Sequence, residues 1–121
     1  MTLPLTPEML AAAYDYLRTT PPFNRWNLPD AEDVKFIVNR KLKKKLAEYQ
    51  WLGDRHSISM CDHGIGHTST LMRTMGHEMI HLYLEKMGWE SRGSDSVHNA
   101  AFRRFAAQAC KFHGWDLKAF F

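Results

Sequence analysis

The stretch Thr68-Ser69-Thr70-Leu71-Met72-Arg73-Thr74-Met75-Gly76-His77-Glu78-Met79-Ile80-His81-Leu82-Tyr83-Leu84-Glu85-Lys86-Met87-Gly88 decides the fold. Leu71, Met72, Met75, Met79, Leu82 and Met87 recur at helical spacing, which predicts one long helix with these side chains turned inward and Gly88 as its C-terminal cap. It is the best-marked element of the chain, and the shorter segments on either side are read relative to it.

Within that helix His77 and His81 stand four residues apart. They project from one face, one turn apart, so both can direct an imidazole nitrogen at a single metal ion. Glu78 lies about 100° further round, where its carboxylate can reach a water on the metal without displacing it. A hydrolytic zinc site takes three protein ligands and keeps one position open, so a third ligand is required. The candidates are His63, Glu85, Glu90, Asp95, His98 and His113. Glu85 shares the histidine face, yet at about 1.5 Å per residue it sits about 12 Å along the axis from His77, too far to converge. His98 is favoured: Gly88 and the serine-rich segment that follows let the chain turn back and present it at the start of a last helix. Phe102, one turn on, can anchor that helix beneath the metal. Glu90 and Asp95 remain the acidic alternatives.

Upstream of the long helix, Val34–Val38 is β-branched and aromatic apart from Lys35, and suits a strand. Ala47, Tyr49 and Trp51 alternate with Glu48 and Gln50, and Ile58 and Met60 alternate with Ser57 and Ser59. These are half-buried strand patterns, joined by a hairpin at Gly53-Asp54. The basic segment between the first two strands reads as a turn. At the start of the chain, Thr6-Pro7 marks a helix N-terminus, followed by Met9, Leu10, Ala13, Tyr14 and Leu17 at helical spacing and ended before Pro21-Pro22. Residues 21–33 read as an ordered loop whose Phe23 and Trp26 pack on the core. In the last helix Ala101, Phe102, Phe105, Ala106, Ala109 and Phe112 form the apolar stripe, with Asp95 or Ser96 as the N-cap and Gly114 as the stop. The sum is an α+β fold, a short and mainly antiparallel three-stranded sheet packed on the long helix with flanking helices.

With 121 residues, one domain spanning 1–121 is expected. A composition of 45% hydrophobic, 12% aromatic and 24% charged residues excludes a disordered chain. No apolar run approaches the roughly 20 residues that cross a bilayer, and Met1–Leu10 is no secretory signal, so a cytoplasmic protein is expected. Cys61 and Cys110 are not a Cys-x-x-Cys pair and read as ordinary thiols. A net charge of +3 decides little about partners. The run Arg40, Lys41, Lys43, Lys44 and Lys45, helped by Arg103 and Arg104, is a candidate nucleic-acid contact; the plainer alternative is a solvated turn.

The residues Gly76-His77-Glu78-Met79-Ile80-His81-Leu82-Tyr83-Leu84, with His98 followed four positions later by Phe102, resemble the SprT-like metallopeptidases, a family that includes the Spartan proteases acting on proteins crosslinked to DNA. Val34–Leu42 and His56–Met60 are similar to that family's strands, and the likeness runs from about residue 30 to 112. The resemblance implies a small zincin-like domain, one Zn2+ held by His77, His81 and His98, and Glu78 as catalytic base. Two departures are visible: Asn99 follows His98 where the family often has glycine, and the chain ends at Phe121 without the four-cysteine ribbon that many members carry.

The function expected from these residues is zinc-dependent hydrolysis of peptide bonds in a polypeptide, DNA-associated proteins among the candidates, with the substrate extended along a sheet edge. Its competitor is a zinc-containing domain that binds nucleic acid or protein without turnover. A hydrolase of small molecules is disfavoured, because so short a chain cannot wall off a deep pocket and keep a core as well.

Overall fold

A computed structural model describes residues 5–39, 46–62, 65, 68–89 and 98–120. Helix α1 spans Pro7–Arg18 and is capped as its sequence predicts, with the Thr6 hydroxyl accepting from the Met9 N–H at 3.2 Å and Pro7 in the first turn. Its buried stripe is Leu10, Ala13, Tyr14 and Leu17. Two short 3-10 turns, Phe23–Arg25 and Ala31–Asp33, carry the chain into strand β1, Val34–Val38. The loop is ordered as expected: Phe23 and Trp26 are buried. The Tyr14 hydroxyl donates to the Pro29 carbonyl at 2.6 Å, and the Lys86 ammonium donates to the Trp26 and Asn27 carbonyls.

Strands β2, Ala47–Trp51, and β3, His56–Met60, form the expected hairpin, with the Leu52 N–H donating to Arg55 across the turn at 2.9 Å. The sheet is nonetheless mixed, not mainly antiparallel. Its order is β1-β3-β2, and β1 runs parallel to β3 from Val34 opposite His56 to Val38 opposite Met60. Burial explains the order. In β3, Ser57, Ile58 and Met60 are all buried, whereas β1 and β2 bury far less, and the strand that excludes most water takes the centre.

Helix α2, Thr68–Met87, is the predicted long helix. It packs on α1, on β2 and on helix α3, Ala100–His113, so its middle is buried nearly all round: Met75, Met79, Ile80, Leu82 and Leu84 are fully enclosed. Gly88, at φ 75°, ends it as predicted, and the Trp89 N–H reaches back to Leu84 at 2.8 Å. Met87, expected inside, is 42% exposed, standing as the last residue of the helix. A short helix α4, Leu117–Phe120, follows α3.

In α3 the buried positions are Phe102, Ala106, Ala109 and Cys110. Phe112 is exposed instead, since at about 100° per residue it points roughly 80° away from Phe102. Cys61 and Cys110 are both buried and form no disulfide with each other. Among the described residues no helix is long and apolar enough to cross a membrane.

Candidate metal centre

The three predicted histidines come together. His77 and His81 face the same side of α2 with ring centroids 5.2 Å apart, and His98 approaches from just before α3, 4.9 Å from His77 and 5.7 Å from His81. Each offers one ligand nitrogen, and these nitrogens all lie within 4.8 Å of one another. The three rings rest on one floor: Phe102, fully buried, lies 4.9 Å from His77 and 4.5 Å from both His81 and His98. Burying that phenyl stabilises the fold by about 1.5–3 kcal/mol, so the anchor of α3 is also the floor of the site.

Asn99 sets where His98 stands. Its side-chain oxygen accepts from the Phe102 N–H at 2.9 Å, which makes it the N-cap of α3. Its amide donates to the Trp89 carbonyl at 3.0 Å, tying the start of α3 to the end of α2. The cap expected at Asp95 or Ser96 is therefore Asn99, because the helix begins at Ala100, adjacent to it. Asn99, where the resemblance led us to expect glycine, thus caps α3 and ties it to α2.

The donor chemistry suits a metal ion. The Nδ1–H of His77 donates to the Phe120 carbonyl at 2.7 Å, which leaves Nε2 as the lone-pair nitrogen of the neutral ring. The Nε2 atoms of His77 and His98 lie 3.2 Å apart. With Zn–N bonds of about 2.0–2.1 Å, tetrahedral coordination separates ligand nitrogens by about 3.3–3.4 Å, so this pair already has close to the required spacing. Burial favours the neutral, ligating form of His77: it pushes the ring down to about 4, reinforced by His81 and His98 and opposed by the Phe120 carbonyl. His98 is lowered by burial and then by His81 and Arg103.

Glu78 is 3% exposed, and with Ser57 and His81 it forms the set of buried polar side chains among the described residues. Two of those three belong to the His77–His81 segment. Enclosing a carboxylate is costly unless its surroundings compensate, so its place inside a helix beside the histidine cluster makes it a candidate functional group.

The other candidates lie elsewhere or cannot be placed. Glu85 is half-buried and faces His56 on β3. His113 stacks on Trp115 at 4.4 Å and meets the Thr20 hydroxyl at 3.1 Å. His63, Glu90 and Asp95 are outside the described residues, as is the basic run Arg40, Lys41, Lys43, Lys44 and Lys45. Arg103 and Arg104 are exposed on α3, Arg104 over the Phe105 ring. Tyr83 turns away from the histidines to stack on Trp26 at 4.5 Å. Sequence reasoning missed the Phe120 carbonyl and the Asn99 cap. Only the cap left a signal, an asparagine directly before a helical apolar pattern.

Comparison with protein families gives a match to the SprT-like family over residues 14–118, nearly the whole chain, and the protein belongs to that family. A search of curated proteins finds no match.

Proposed function

We propose, for this SprT-like chain, a zinc-dependent peptidase acting on protein substrates, with His77, His81 and His98 as metal ligands and Glu78 as general base. The observation that carries the reading is the convergence of three imidazole nitrogens beside a buried glutamate one residue from the first ligand. Three imidazole nitrogen donors and no thiolate match the ligand set of hydrolytic zinc sites, which leave one position open, rather than that of structural ones.

Bound there, zinc would supply Lewis acidity, polarising the scissile carbonyl and acidifying the attacking water. The residues of the chain do the rest. Glu78 takes the proton from the water at its carboxylate and returns it to the departing amine nitrogen, one group serving as base and then as acid. His77 stays neutral through burial, and its Nδ1–H is held by the Phe120 carbonyl. Phe102 shields the inner side of the histidines. Strand β2 is an edge of the sheet and packs on α2, so an extended polypeptide could run along it through backbone hydrogen bonds that demand little of its sequence.

Glu78→Gln tests the mechanism. The expected result is zinc bound at the wild-type stoichiometry with cleavage of a denatured protein reduced by about 10²–10⁴-fold. Undiminished cleavage would remove Glu78 from the reaction, and wild-type protein that takes up no zinc would remove the metal.

A further inference from the structure

The geometry points to the segment Gly114–Phe120 as a clasp that positions the metal ligand His77, with the Phe120 carbonyl as the positioning group and Trp115 as the residue that seats it. The inference rests on the reading that His77, His81 and His98 hold the metal.

The clasp begins at Gly114. Its φ of 72° is the left-handed conformation that ends α3, and both its own N–H and that of Trp115, the latter at 3.1 Å, return to the Cys110 carbonyl. This reversal lays the Trp115 indole against the helix that carries the ligands. It meets α2 at Gly76, the residue directly before His77: a Cβ there would stand 2.9 and 3.0 Å from two indole carbons and 3.3 Å from the Phe23 ring. Glycine in mid-helix costs about 1 kcal/mol relative to alanine. Here it is what allows an aromatic ring to lie on the backbone beside a metal ligand.

From Trp115 the contact passes to Phe120, whose ring stacks on the indole at 5.7 Å and lies 5.5 Å from His77. Phe120 is buried, and α4 closes with its N–H on the Asp116 carbonyl at 2.9 Å. Helix termination turns last-turn carbonyls toward outside partners. For Phe120 one such partner is the His77 Nδ1–H. An outer acceptor of this kind fixes which ring nitrogen faces the metal and the plane in which it does so.

The test uses the full chain and needs no turnover. Incorporating phenyllactate at position 121 converts the Phe120 carbonyl from an amide to an ester, a weaker acceptor, while every side chain stays in place. Phe120→Ala and Trp115→Ala remove the seat, and Phe120→Tyr restores it. Zinc affinity is read by competition with a chelator, and the tautomer of His77 in the metal-free protein by ¹⁵N NMR. The expected result is a loss of about 10–100-fold in affinity for the ester and both alanine variants, the range typical of outer-shell partners. It comes with a His77 signal shifted away from the pure Nδ1–H form, and Phe120→Tyr recovers both. Wild-type affinity and an unchanged tautomer in the ester protein would overturn the inference while leaving the metal assignment intact. Absence of zinc binding in the wild type would overturn both, so the two failures are distinct. If an alanine variant unfolds, the ester protein still decides.

Discussion

Replacing His77 with Gln in the metal-free protein should flatten the loss of stability in acid. In the fold, His77 titrates at about 4 against an ordinary 6.5. A histidine whose folded pKa is depressed favours folding only while neutral. Its contribution is complete above pH 6.5 and is lost as pH falls towards 4, because in that window the unfolded chain binds the proton first. At roughly 1.4 kcal/mol per pH decade, the interval amounts to about 3 kcal/mol, a large share of the roughly 5–15 kcal/mol that holds a domain together. His56, His98 and His113 are also lowered by burial and act in the same direction. The assay is guanidinium unfolding in the presence of a chelator at several pH values between 7 and 4.5. Wild type should lose stability more steeply than His77→Gln, by up to about 1.4 kcal/mol per pH decade in mid-window. Carboxylates titrate in both proteins, so the difference reports the imidazole at position 77 together with its coupling to His81 and His98. Parallel slopes would show that His77 is not held neutral by the fold, and the argument that burial prepares it as a ligand would fall with them.

His98→Ala should lower zinc affinity by more than the 10–100-fold that an outer-shell partner costs, since it removes a donor outright; a full equivalent bound at wild-type affinity would reassign the third ligand. Asn99→Ala should cost about 1 kcal/mol in chemical denaturation through the lost cap of α3, and should also weaken zinc binding, because the Asn99 amide ties the end of α2 to His98. Gly76→Val should destabilise by about 1–3 kcal/mol, as its side chain would meet Trp115 and Phe23; a thermal midpoint equal to wild type would show that the indole moves aside freely.

What the sequence made legible was whatever depends on residue type at a spacing. The four-residue separation of His77 and His81 needs only a helix, and the apolar pattern of Thr68–Met87 supplies one. His98 could be favoured because the capping glycine implies a reversal and Phe102 gives the next helix something to bury. Strands β2 and β3 were legible from alternation and β1 from its β-branched and aromatic residues, but their order was not. Alternation says which face of a strand is wet; it does not say that β3 is buried enough to sit between the other two, and so it led to an antiparallel sheet where β1 is parallel to β3. The ends of the amphipathic stripes misled for a related reason. Met87, the last residue of its helix, and Phe112, roughly 80° off the buried face of α3, are apolar yet stand largely in solvent.

The least legible feature is the one most specific to this site. The acceptor for His77 is a main-chain carbonyl 43 residues along the chain, and any residue at position 120 would present the same atom. Its delivery depends on three side-chain facts that have meaning only together: a left-handed Gly114, an indole at Trp115, and at Gly76 the missing Cβ that lets the indole in. Read singly, Gly76 is a weak point in a helix and Trp115 a half-buried aromatic. Read in space, they carry the packing of the chain's last helix into the orientation of one imidazole. A substitution at Trp115 should therefore alter metal affinity although that residue offers the metal no donor atom.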